Sequence, residues 1–195
     1  MKVAINGFGR IGKQFLMSLL QKKISWDIII NEVANLDEIV YALKHDSVHP
    51  SLKEVSHDGL HIVIGSGLRK RKIAVFSETD PLKLPWNAEK IDLVVDCTGA
   101  FTHRKDAEKH LQAGAKKVLI SAPAKEHDLT LVYGVNEPAL TKEHRIVSAG
   151  SCTTNCVSPL IKVLHTHYGV KSAYFVTTHA YTATQRLIDT YDSKD

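Results

Sequence analysis

Residues 2–12 read KVAINGFGRIG. A short apolar run ends at Asn6, glycines follow at positions 7, 9 and 12, and Ile11, Phe15, Leu19 and Leu20 then recur on one helical face across residues 10–23. The stretch therefore predicts strand, tight turn and helix, the context in which a GxGxxG spacing carries meaning. Gly7 permits the turn, Gly9 lets the backbone approach a pyrophosphate, and Gly12 lets the helix pack closely on the strand. The helix N-terminus supplies free N–H groups and the positive end of its dipole to an anion. A second strand over residues 27–31 holds the uninterrupted apolar core Ile28-Ile29-Ile30, the pattern of a strand covered on both faces. Glu32 follows it, 20 residues after Gly12. A carboxylate there suits the ribose hydroxyls of an adenosine and repels a 2′-phosphate, which points to NAD rather than NADP.

Beyond this unit the chain keeps alternating short β-branched runs with helical patterns, which predicts an α/β fold with a Rossmann-type, doubly wound, mostly parallel sheet. The expected elements are a helix over residues 36–43 and a hairpin of strands 60–64 and 72–76 turning at Gly65-Ser66-Gly67. A strand over 93–97, a helix over 104–113 closed by Gly114, and strands over 117–121, 129–133 and 145–148 follow. The character changes at Gly150. Ser151 can cap a helix over 152–168, which Pro159 should kink or divide, and a strand over 173–178 would end at His179. Residues 1–150 are thus expected to form a dinucleotide-binding domain and residues 151–195 an incomplete second one, because about 45 residues are few for an independent core.

The whole chain has 195 residues, 44% of them hydrophobic and 24% charged, with a formal charge of +4. That composition excludes a disordered or fibrous chain. No apolar run is long enough to span a bilayer, and no signal-peptide pattern opens the sequence, so neither membrane insertion nor export is expected. The run Arg69-Lys70-Arg71-Lys72 is the one dense basic cluster; it reads as a solvated loop before a nucleic-acid patch. Three cysteines cannot make a disulfide framework. Cys152, beside the capping Ser151, would lie at a helix N-terminus, where the dipole and free N–H groups favour a thiolate and can hold an oxyanion. His179, 27 residues on, is the candidate base for it. Cys97 reads as core and Cys156 as packed inward. The Cys152/Cys156 and His45/His49 spacings lack further ligands, so no metal is expected.

Six segments together resemble the phosphorylating glyceraldehyde-3-phosphate dehydrogenase family. They are residues 5–12 (INGFGRIG), 96–102 (DCTGAFT), 113–123 (AGAKKVLISAP), 133–136 (YGVN), 151–156 (SCTTNC) and 178–185 (THAYTATQ). SCTTNC is the most specific of them, and the match runs along the entire chain. The resemblance implies NAD as cofactor, glyceraldehyde 3-phosphate and inorganic phosphate as substrates, and a cytoplasmic homotetramer acting in glycolysis. It implies Cys152 as nucleophile and His179 as its base. Ser151, Thr153 and Thr182 match the family's anion-site positions, Arg10 and Ile11 its pyrophosphate turn, and Thr98 and Ser121 positions lining the ribose and nicotinamide.

The sequence also departs from the family. Glu32 stands where an Asp is usual, Thr79 where an Arg often flanks the adenine, and Ala183-Thr184 where bacterial members commonly carry Asn-Asp. The family continues well beyond residue 195, into the rest of an α+β catalytic domain that supplies an arginine for the phosphate sites. The 195 residues alone are therefore expected to be inactive. Two rival functions remain. Erythrose-4-phosphate dehydrogenase shares the thiol chemistry but releases a free acid, and residues 30–32, 132–134 and 143–148 lean toward it. A non-catalytic nucleotide or RNA binder would use the basic run at residues 69–72.

Overall fold

A computed structural model describes residues 1–46, 49–67 and 70–180. The strands are β1 (Lys2–Asn6), β2 (Asp27–Asn31), β3 (Val55–His57), β4 (His61–Ile64), β5 (Arg71–Phe76), β6 (Leu93–Asp96), β7 (Lys117–Ile120), β8 (Leu129–Thr130) and β9 (Ile146–Ser148). The helices are α1 (Arg10–Gln21), α2 (Leu36–Lys44), α3 (Arg104–Gln112) and α4 (Cys152–Tyr168). The strands form one sheet in the order β3-β4-β5-β2-β1-β6-β7-β9-β8. Seven strands, from β5 to β8 in that order, are mutually parallel, while β3 and β4 pair antiparallel at one edge.

The period-two alternation of the central strands divides the core into two layers. Val3, Ile5, Ile28, Ile30 and Val95 face one way and pack with Leu16 and Met17 of α1 and Ile39 and Leu43 of α2. Ala4, Ile29 and Val94 face the other way and pack with Ala107 of α3, Trp86 and Ile91. Both faces of the sheet are thereby covered, and this is why Ile28-Ile29-Ile30 is apolar throughout. The chain leaves β1 toward β2 on one side and later returns to pair β6 on the other. This reversal opens a crevice at the carboxyl ends of β1 and β6, where open α/β sheets take their ligands.

The short antiparallel strand β3 was not anticipated; it extends the expected hairpin by pairing with β4. The strand expected over 173–178 does not form. Residues 171–180 are exposed and carry no regular structure, with no strand among the described residues pairing with their N–H and C=O groups. α4 runs undivided through Pro159. The proline withholds one N–H, from the carbonyl of Asn155, and Asn155 is exposed, so water can replace it. None of α4's residues is buried, and Leu160, Val163 and Leu164 are each at least half exposed. Among the described residues no helix is long and apolar enough to cross a membrane.

Candidate functional site

The glycine turn is built as its spacing predicts, with each glycine there for a different reason. Gly7 has φ +85°, donates its N–H to the Asn31 carbonyl at 2.9 Å, and lies so close to Thr98 that a Cβ would fall 2.8 Å from its methyl. A Cβ on Gly12 would fall 2.1 Å from the Gly7 carbonyl oxygen. Gly9 is different: a Cβ there would meet no protein atom within 4 Å. Gly9 is also the N-cap of α1, which carries no side-chain cap and no acid in its first turn. An uncovered helix N-terminus beneath a glycine with open space above it can accept an anion closely. Arg10 and Ile11, the next two residues, are both exposed.

A crevice of about 420 Å³ opens beside this turn, lined by Gly7, Gly9, Glu32, Thr79, Cys97 and Thr98. Glu32 lines it, but both of its oxygens already hold backbone. Oε2 accepts from Phe8 N–H, and Oε1 from Val33 N–H at 2.7 Å and Ala34 N–H at 3.1 Å. The acid therefore ties the glycine turn to the loop after β2, a role the sequence did not reveal. Its remaining lone pairs can still accept from hydroxyls. Opposite, the Thr98 hydroxyl donates to Asp96 at 2.8 Å and accepts from Ala100 N–H at 3.0 Å. The half-buried Ser121 donates its backbone N–H to the Asp96 carbonyl. Its hydroxyl hydrogen-bonds the Cys97 thiol, which burial pushes up to about 11.

The second half of the site stands at the same edge of the sheet, because β9 is parallel to the central strands and delivers the chain to α4 there. Ser148 Oγ accepts from Gly150 N–H, and the Asn155 amide donates to the carbonyls of Ala149 and Ser151, which fixes the turn. Ser151 caps α4 by accepting from Thr154 N–H at 3.0 Å, and its hydroxyl also meets those of Thr153 and Thr154. Cys152 is thereby the first residue of a 17-residue helix.

Its sulfur lies 3.0 Å from His179 Nε2. His179 Nδ1–H donates to the Ala180 carbonyl at 2.6 Å, which leaves Nε2 to face the thiol. The hydrogen bond with His179 chiefly lowers the Cys152 thiol, and the Thr153 backbone N–H adds to it. His179 is raised by its bond to the Ala180 carbonyl and then by Cys152. Such a pair can hold a thiolate beside an imidazolium, ready to attack an electrophilic carbon.

Thr182 lies outside the described residues, as does Arg69 of the basic run. Two other members of that run have partners within the chain: the Arg71 guanidinium donates to the Trp26 carbonyl, and Lys72 pairs with Asp58 at 2.8 Å. Cys156 is exposed, contrary to expectation, because among the described residues none of α4 is buried by a neighbouring element. Among the described residues no group of three or more His, Cys, Asp or Glu is placed to hold a metal ion.

Sequence comparison places these features together. Residues 1–104 match the family model described as glyceraldehyde 3-phosphate dehydrogenase, NAD binding domain, and residues 151–195 the model for the C-terminal domain of the same enzyme. The glyceraldehyde-3-phosphate dehydrogenase of Thermotoga maritima is 46% identical over 194 residues, 96% of this chain and 56% of its own length. That of Mycoplasma pneumoniae is 45% identical over 191 residues, 96% of this chain and 55% of its own. That of Chlamydia pneumoniae is 44% identical across 100% of this chain and 58% of its own. The chain thus spans little more than half the length of these relatives. With more than half of its residues matched by the first model, it belongs to the glyceraldehyde-3-phosphate dehydrogenase family and carries that family's NAD-binding domain.

Proposed function

We propose that this chain provides the cofactor site and the nucleophile for the NAD-dependent, phosphorylating oxidation of glyceraldehyde 3-phosphate to 1,3-bisphosphoglycerate. The observation that carries the reading is the Cys152 sulfur 3.0 Å from His179 Nε2 at the capped start of α4. Residues 1–150 act as the NAD-binding unit and residues 151–195 as the beginning of the catalytic one. Gly7, Gly9, Arg10, Ile11 and Gly12 hold the pyrophosphate, Glu32 the adenosine ribose, and Thr98 and Ser121 the far end of the cofactor. The open space over Gly9 supports that fit, since a side chain there would fill it.

In the reaction the Cys152 thiolate attacks the aldehyde carbon to give a hemithioacetal. The His179 imidazolium gives its Nε2 proton to the resulting oxyanion, and the neutral ring takes the hydroxyl proton back through Nε2 as hydride leaves, held in place by its Nδ1–H bond to the Ala180 carbonyl. NAD bound in the crevice would supply the hydride acceptor needed to turn the hemithioacetal into a thioester. Ser151 and Thr153, with Thr182, bind the substrate phosphate and the inorganic phosphate that then displaces the Cys152 thiolate. Cys152 and His179 are both exposed within residues 1–195, so water competes with phosphate for the thioester, and this stretch alone turns over negligibly. The enzyme works as a cytoplasmic homotetramer.

The test is NADH formation by the full-length protein carrying these residues. It is measured with glyceraldehyde 3-phosphate and with erythrose 4-phosphate, each with and without inorganic phosphate. Phosphate-dependent turnover with the three-carbon aldehyde is expected. Preference for erythrose 4-phosphate without a phosphate requirement would replace this reading with that of the free-acid-releasing relative.

A further inference from the structure

Beneath the crevice runs a buried hydrogen-bonded chain that none of the roles above uses. Asn31, Asn6 and Asp96 end β2, β1 and β6 and sit in register across the sheet, each no more than 4% exposed. His110 of α3 and Trp86 continue the chain below them, and both are fully buried. An indole N–H can only donate, and Trp86 donates it to His110 Nδ1 at 3.0 Å. Nδ1 is therefore the acceptor of the ring, and the proton sits on Nε2, 3.4 Å from the Asn6 amide nitrogen and 3.5 Å from Asp96 Oδ2, of which only the carboxylate oxygen can accept it.

Asp96 then gathers donors from both sides of the crevice. Oδ2 accepts from the Asn6 amide at 2.7 Å. Oδ1 accepts from the Thr98 N–H at 3.2 Å and the Thr98 hydroxyl at 2.8 Å. From Asn6 the chain continues to Asn31, whose amide donates to Asn6 Oδ1 at 2.8 Å. Asn31 in turn holds Glu78 by both backbone groups, donating to its carbonyl at 2.8 Å and accepting its N–H at 3.0 Å. Glu78, which follows β5, and Thr98, which follows β6, line the crevice from either side of β1. A carboxylate offers acceptors only, so one buried group fixes both walls at once, and only an acid satisfies every donor aimed at it.

We propose that Asp96, oriented by the tautomer that Trp86 imposes on His110, is the positioning residue of the cofactor crevice, setting its width through Thr98 on one wall and through Asn6, Asn31 and Glu78 on the other. The inference rests on the reading of this crevice as the NAD site, but its mechanical part does not. Asp96→Asn keeps the volume and turns one oxygen into a donor, so that donors meet donors.

Two measurements on the 195-residue chain test it: amide hydrogen exchange without ligand, and NAD affinity by calorimetry. Val94→Ala, a buried change on the same strand that packs in the Trp86 layer but makes none of these side-chain hydrogen bonds, controls for lost packing and stability. In Asp96→Asn the amides of Glu78, Thr98 and Ala100 should exchange at least about tenfold faster relative to those of β7, and the NAD Kd should rise at least about tenfold. Val94→Ala should show neither change. Trp86→Phe keeps the packing and removes the N–H that sets the tautomer. It should loosen the same three amides to a lesser degree, and it decides the question if Asp96→Asn does not fold. Exchange at those amides no faster in Asp96→Asn, or failing that in Trp86→Phe, than in Val94→Ala would overturn the proposal. If the walls loosen while even the unsubstituted chain binds no NAD, positioning by Asp96 stands and the cofactor reading of the crevice falls.

Discussion

Replacing Gly12 by alanine separates local propensity from tertiary fit, because the two give opposite signs. Alanine in a helix is favoured over glycine by about 1 kcal/mol, so propensity alone predicts a more stable protein. In the fold, the new Cβ would stand 2.1 Å from the Gly7 carbonyl oxygen and 3.1 Å from Ile5 Cγ2. Carbon contacts normally lie at about 3.5–4.0 Å, so α1 would have to move away from β1 by about 1 Å. The obstacle is not a flexible side chain. It is the backbone of a turn pinned by its bond to Asn31 and by its closeness to Thr98. Overpacking of this kind costs about 3 kcal/mol, which leaves a net loss of about 2 kcal/mol after the propensity gain. For a chain of this size that is a fall in Tm of about 4–8 °C, against a rise of about 2–4 °C from propensity alone. Thermal unfolding followed by far-UV circular dichroism distinguishes them. Gly9→Ala serves as the companion: with nothing within 4 Å of its Cβ and φ −70°, it should melt with the unsubstituted chain while losing at least about tenfold in NAD affinity. A Gly12→Ala protein that melts at or above the unsubstituted chain would refute the argument.

Iodoacetamide should modify Cys152 far faster than Cys97, whose thiol burial holds at about 11. The rate at Cys152 should rise with pH around a midpoint below the ordinary thiol value, and His179→Asn should move that midpoint up and slow the reaction at pH 7 at least about tenfold. Comparable rates at Cys97 and Cys152 would count against the pair. NAD should bind at least about tenfold more tightly than NADP. Glu32→Ala should narrow that preference and also weaken NAD itself, since the acid holds Phe8, Val33 and Ala34 as well; titration of both cofactors checks this. Asp128 joins three parts of the fold. Burial opposes its charge, but the N–H of Ile146, the Arg104 guanidinium and the N–H of Arg145 outweigh it and hold the carboxyl at about 2. Its ordinary value of 3.8 is thus lowered in the fold, so its stabilisation is complete above about pH 4 and is lost as the pH falls toward 2. Asp128→Asn should lower Tm by at least about 3 °C at pH 7, and the difference should shrink across that acid range.

The sequence alone determined whatever depends on neighbours along the chain. The glycine turn, the strand–helix alternation and the start of α4 at Cys152 all rest on local backbone rules: where φ must be positive, where a hydroxyl can cap, and which side chains recur on a face. The family likewise lay in short contiguous segments such as SCTTNC. Tertiary structure decided what depends on partners distant in sequence. The span 173–178 has strand-forming residues, yet among the described residues no edge pairs with it, and a strand without a neighbour leaves its backbone groups to water. Cys156 was expected to pack inward, yet among the described residues nothing buries α4. Glu32 reads as a ribose acid, and only the fold shows it gripping the glycine turn 24 residues away. The buried line from Trp86 to Asn31 had the faintest signal, a polar residue closing each of three apolar strands. Hydrogen bonds spanning 24 to 90 residues join its members, and which donor meets which acceptor is set by strand register and helix placement, which no single segment encodes.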